Sequence, residues 1–170
     1  MSELTLEQIT AIVDTREQAA WDLSPMQMVA KGLDVGDYSI VGLESVIAIE
    51  RKSLPDFVMC CGSERERFQR ELDRLRGWPV HSVIIEASWG ELEMGQWRSK
   101  LTAQHVMSSF ASWIAQGHTL ILAGSVQNAA ALCRGVLFYA ARYRMREANA
   151  LLKSVKTANG VNSNVSSAMV

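Results

Sequence analysis

The sequence is short of the residues that would staple a small fold together. Its three cysteines, Cys60, Cys61 and Cys133, form no C-x-x-C pair and no even framework, which excludes a zinc ribbon and a disulfide scaffold. Free thiols of this kind fit a reducing compartment. The three histidines, His81, His105 and His118, are scattered without ligand spacing, so structural or surface roles are expected of them. Charge of one sign is also missing. A net charge of -1 excludes a general basic coat, so any DNA binding must come from local clusters or from metal ions that offset carboxylates. The opening "MSELTLEQ" has neither the basic region nor the apolar run of a secretory signal. The most apolar stretch, "AAALCRGVLFYAA", is interrupted by Arg134, so no bilayer span and no membrane partner is expected. The expectation is an intracellular soluble protein, and no internal repeat is visible.

What is present suits one domain. The chain has 170 residues, 48% hydrophobic and 21% charged, an ordinary globular balance with enough length to bury a core. "ITAIVD" (9–14) reads as a short strand, and residues 15–34 are mixed, with Ser24-Pro25 marking a turn. "DYSIV" and "SVIAIERKS" around "GLE" read as a hairpin. Ser53 followed by Pro55 reads as a helix start, and "DFVMCC" continues that helix until Gly62-Ser63. Phe68, Leu72 and Leu75 lie at helical spacing in "ERERFQRELDRLRG". "HSVIIEA" (81–87) is a buried strand, "SWGELEMGQWRS" an aperiodic loop, 100–117 an amphipathic helix, and "TLILA" another strand. Ser125 is placed to cap a long apolar helix. The domain is expected over 1–150, and the Ser/Asn-rich residues 151–170 as a disordered tail. The order predicts an α/β sandwich whose later strands, joined by helical crossovers, are parallel.

The charges near the hairpin are the informative part. If Val41 pairs with Val46, then Asp37 lies opposite Glu50, with Cβ atoms roughly 5 Å apart. Strand alternation puts Lys52 on the face of Glu50 and sends Arg51 to the other. Two carboxylates this close repel unless protonated or bridged by a cation, and oxygen ligands suit Mg²⁺ or Mn²⁺. An ammonium beside such an ion can orient or help deprotonate an attacking water, or stabilise charge on a phosphoryl group. Asp14, at the end of the first strand, is placed to reach the same sheet edge. Asp56, one turn into the helix after Lys52, is placed to add a ligand or to hold Lys52. A one-residue slip of the hairpin would turn one carboxylate away, and charged strand ends are commonly just solvated.

With Asp14-Thr15-Arg16-Glu17 added, the motifs become specific. "IVDTREQ", "GDYSI", "IERKSLPDF", "RFQRELDRL" and "VIIEA" together resemble the nuclease domain of the XPF family of structure-specific endonucleases. That family is marked by D-x-R-E, G-D-[YF] and E-R-K-x-x-x-D in this order. The resemblance runs from about residue 10 to about residue 145. It implies a restriction-endonuclease-like fold of the PD-(D/E)XK type, a mixed sheet flanked by helices. It also implies Mg²⁺- or Mn²⁺-dependent hydrolysis of phosphodiester bonds in branched or flapped DNA, in repair, recombination or replication. Position by position, Asp37 and Glu50 match the metal-binding acids and Lys52 the catalytic lysine. Asp14, Arg16, Glu17, Arg51 and Asp56 match the other signature positions, with Asp14 a further candidate metal ligand. Arg67 matches a basic residue of the following helix and, with Arg51 and Lys52, is a candidate DNA contact. Glu86 matches a recurrent strand-end acid.

The resemblance further implies a homodimer, formed through the long C-terminal helix. No helix-hairpin-helix module follows the nuclease motifs and no helicase-like region precedes them, so a partner protein that supplies DNA binding is plausible. The short architecture is that expected of a stand-alone bacterial or viral member, cytoplasmic rather than nuclear. Two other readings of the same residues stay open: a non-catalytic DNA-binding partner of the same fold, and an enzyme resolving four-way junctions. The remaining arginines of the helix over 64–77 alternate with acids and are expected to be solvated ion-pair partners. Trp89 and Trp97 are placed to pack, or to stack on bases.

Overall fold

The computed structural model of the protein describes residues 4–167, with side chains through Lys156. Six strands build one mixed sheet in the order β2-β1-β3-β4-β5-β6. They are β1 (Thr10–Val13), β2 (Gln27–Ala30), β3 (Tyr38–Ile40), β4 (Ile47–Ser53), β5 (Val80–Glu86) and β6 (Leu120–Leu122). β3 is antiparallel to both β1 and β4, whereas β4, β5 and β6 run parallel to one another, as the crossovers require. β2 was not expected. It is an exposed edge strand paired in parallel with β1, and it lies in the stretch that the sequence left mixed.

Helices cover both faces. Ser53 caps α1 (Leu54–Cys60) by accepting the N–H of Asp56, with Pro55 in the first turn. α2 (Arg65–Leu75) buries Phe68, Leu72 and Leu75. α3 (Trp89–Met94) replaces the loop expected there, because Ser88 and Glu91 form a reciprocal capping box and Gly95 ends the helix in the left-handed conformation. Thr102 caps α4 (Ala103–Ala115). These four helices pack on one face of the sheet, where Phe57 meets Phe68, Phe110 and Trp113 edge-on. α5 (Val126–Ser167) covers the other face through Ala129, Cys133, Leu137 and Ala140. Its backbone stays helical past residue 150 into the stretch expected to be a tail; no proline falls between 126 and 167 to break it. The last three residues of that tail lie outside the described ones. Among the described residues no helix is long and apolar enough to cross a membrane.

Alternation along β4 sorts its side chains between the two faces. Ile47 and Ile49 enter the α5 core, while Ala48 enters the core of α1 to α4. Glu50 and Lys52 therefore belong to the α2 side, and Arg51 to the α5 side. The hairpin register is the expected one: Tyr38 pairs with Ile49, which sets Asp37 opposite Glu50. Gly36 makes this possible. Its φ is +78°, and a Cβ there would meet the backbone N and O of Ile49 at 3.1 Å, so only glycine lets the chain approach β4 so closely.

Candidate active site

A cleft of about 240 Å³ opens where β3 begins and β4 ends, beside α2. Its floor holds Asp37, Glu50, Lys52 and Glu71, and Arg16, Arg67 and Arg74 stand around it. Asp37 is fixed by its backbone, whose N–H donates to Ile49 O at 2.8 Å. Its Oδ2 accepts the main-chain N–H of Arg51 at 2.7 Å. Burial and the facing Glu50 carboxylate push the Asp37 carboxyl up to about 7, against the pull of the Arg51 N–H and Lys52. This is the signature of two acids sharing one small volume.

Lys52 donates to Glu50 in a short ion pair. Its Nζ lies 3.6 Å from Glu71 Oε2 and 5.5 Å from the centre of the Phe68 ring. Burial alone would discharge this amine, but the Glu50 and Glu71 carboxylates outweigh it and hold the ammonium above its ordinary value. Glu71 Oε1 accepts from Arg67 at 2.7 Å, while its Oε2 is buried without a hydrogen-bond partner. Arg67 also pairs with Glu64.

The other signature residues divide between two places. Asp14 is 2% exposed. Its carboxylate accepts from Arg16 Nε at 2.6 Å, from Arg16 Nη2 at 3.1 Å and from the Leu33 N–H at 2.6 Å. The Arg16 bond above all holds the Asp14 carboxyl down to about 2. Asp14 thus orients Arg16 at the cleft, and both its oxygens are occupied. On the opposite face of the sheet, Arg51 donates to Glu86 Oε1 at 2.7 Å, to Glu17 Oε1 at 2.9 Å and to Ala19 O at 2.8 Å. Trp21 adds an N–H to Glu86 at 2.5 Å and stacks on Tyr38 with ring centres 4.8 Å apart. Glu17, Arg51 and Glu86 therefore brace the strand that carries Glu50 and Lys52, from behind it. Asp56 is not brought to the cleft; it is exposed at the start of α1 and accepts the Ser53 hydroxyl. The three histidines are structural: His118 sits by Gln69 and Arg76, His81 by Trp78 O, and His105 by Cys61 O.

Glu71, Arg74 and Trp21 were missed as site residues. Glu71 and Arg74 carried a usable signal, since they follow Arg67 at i+4 and i+7 on one helix flank. Trp21, in an irregular segment, carried none. Among the described residues no three His, Cys, Asp or Glu side chains already converge as a metal cage. The donor set still fits a hard divalent ion held by few protein ligands. Asp37 and Glu50 offer facing oxygens whose mutual repulsion a cation relieves, and water and phosphate oxygens complete such a shell.

Sheet order, flanking helices and cleft define a restriction-endonuclease-like α/β domain. The model of the ERCC4 domain matches residues 13–161, and the chain belongs to that family, as the XPF resemblance of its motifs implies. Among solved structures it is similar to XPF from Aeropyrum pernix, with a TM-score of 0.62 and 20% identity over 77% of this chain and 61% of that one. It is also similar to XPF from Aeropyrum pernix in complex with DNA, with a TM-score of 0.58 and 20% identity over 79% of this chain and 66% of that one. The chain thus spans less than two thirds of either XPF chain. No curated protein sequence matches it.

Proposed function

We propose that the protein is a divalent-metal-dependent DNA endonuclease that hydrolyses phosphodiester bonds in branched or flapped DNA. The observation that carries this reading is the juxtaposition of Asp37, Glu50 and Lys52 in one cleft, with arginines around its mouth. Asp37 and Glu50 would hold Mg²⁺ or Mn²⁺, which when bound supplies an acidified water and neutralises phosphate charge. Asp37 must lose its proton to serve as a ligand, and its raised value makes that loss pH-dependent. Lys52 is held charged, so its role is to stabilise negative charge on the phosphoryl oxygens rather than to remove a proton. Asp14 presents Arg16 to the backbone of the DNA, and Arg51 keeps β4 in place through Glu17 and Glu86. The match of a DNA-bound XPF structure supports DNA as the substrate. A homodimer through the outer half of α5 belongs to the same reading, supported by its exposed Tyr139, Tyr143, Leu151 and Leu152.

The test is a cleavage panel of flap, fork, four-way and plain duplex oligonucleotides in Mg²⁺, Mn²⁺ or EDTA. Cutting is expected with metal only, and preferentially in the branched molecules. Lys52→Met should lower the rate on the order of 10²- to 10³-fold while DNA binding persists. Cutting in EDTA, or a Lys52→Met variant at full speed, would overturn the proposal. A four-way junction cut in preference to flaps and forks would favour the resolvase reading.

A further inference from the structure

The two flanks of α2 treat their arginines differently. On the flank facing α4, each charged group is tied into packing. Arg65 donates to Ser109 at 2.7 Å and lies 4.9 Å from the centre of the Trp113 ring, and Arg76 contacts the buried His118 at 3.1 Å. On the flank facing the cleft stand Arg67, Glu71 and Arg74, spaced i, i+4 and i+7 and so stacked along one line. Arg74 is exposed and makes no ion pair or hydrogen bond through its guanidinium among the described residues. It stands beside the acidic side chains of the cleft floor. Arg67 is bound to Glu64 and Glu71, and Glu71 in turn reaches Lys52.

We infer that this flank of α2 is a phosphate-binding wall, in which Arg74 is a second backbone contact beyond Arg67, away from the scissile position. The reading rests on the nuclease proposal above and deepens it. Seven residues of helix rise about 10.5 Å, and one DNA strand advances about 3.4 Å along its axis per phosphate. Arg67 and Arg74 are therefore far enough apart along α2 to meet different phosphates of one strand. Each guanidinium presents a planar fork suited to phosphate oxygens. Such contacts position the strand without reading its sequence. Glu71, between them, keeps the strand off the helix middle and leaves the gap over Lys52.

The test is binding of a fluorescent flap oligonucleotide at a series of salt concentrations, with EDTA present so that the probe stays intact. One lost phosphate contact lowers the slope of log K against log salt by about 0.7 to 0.9, which at 0.1 M salt is roughly a five- to eightfold weaker complex. Arg74→Gln should show that loss whatever the sequence of the probe. Arg74→Lys should restore most of it, because a point charge still attracts phosphate. Arg76→Gln, on the flank facing α4, should bind as wild type does. A wild-type slope near zero would remove both this inference and the nuclease reading. A steep wild-type slope that Arg74→Gln leaves unchanged, or that Arg76→Gln lowers equally, would overturn the wall alone.

Discussion

Replacing Asp37 with asparagine should make the metal-free protein more stable at alkaline pH and flatten its response to pH. The magnitude follows from the Asp37 carboxyl, whose ordinary value of 3.8 is raised to about 7 by burial and by Glu50. Below about pH 4 this group is protonated in folded and unfolded chains alike and has no effect. Between about 4 and 7 the unfolded chain releases the proton while the folded chain keeps it, so stability falls by about 1.4 kcal/mol per pH unit. Above about 7 the loss is complete, on the order of 4 kcal/mol. Asparagine keeps an oxygen for the Arg51 N–H and has no charge to lose. Thermal unfolding in EDTA at pH 4, 6 and 8 reads the effect directly. At pH 8 the variant should melt roughly 10 °C above wild type, and at pH 4 the two should coincide. Mn²⁺ should stabilise wild type at pH 8 and leave the variant unmoved. Equal melting temperatures at pH 8, or a gap of the same size at pH 4, would refute the argument that two crowded acids define this cleft.

Removing the brace behind β4 should be more damaging than removing the cleft's own charges. Arg51→Ala leaves the Glu17 and Glu86 carboxylates, 12% and 6% exposed, without a counter-charge, and urea unfolding should show a loss of about 3 to 5 kcal/mol. Trp21→Phe deletes the N–H to Glu86 and should lose about 1 to 3 kcal/mol in the same assay. For Asp14 the sign is opposite to that of Asp37. Its lowered carboxyl contributes stability that is present above about pH 4 and lost as pH falls toward 2. Since Arg16 is 72% exposed and solvent screens the pair, Asp14→Asn should lose only about 1 to 2 kcal/mol at pH 7, with the gap closing near pH 2 in acid titration.

The geometry of the cleft was legible because it is set by local rules. A hairpin with one short turn fixes its register, and period-two alternation then sorts Glu50, Arg51 and Lys52 between the faces, as the Tyr38–Ile49 pairing bears out. Elements that depend on tertiary support were not legible. β2 has four exposed residues with no alternation, and only the edge of β1 makes it a strand. α3 was marked by Ser88 and Glu91, a capping signal that the aperiodic surroundings concealed. Arg51 and Glu86 lie thirty-five positions apart and meet because β4 and β5 are parallel neighbours. Asp14 shows the limit of spacing arguments. It reaches the right edge of the sheet, but spacing alone did not show that its carboxylate accepts from Arg16 and the Leu33 N–H.

Consecutive letters of β4 work on opposite sides of a wall, and this makes the strand a reading frame. Inserting a single residue after Ile49 would swing the guanidinium over the cleft and turn the lysine toward the α5 helix, inverting both halves at once. Loops on either side can lengthen or shorten across descendants of this gene, but between Ile47 and Ser53 change is confined to one-for-one replacement.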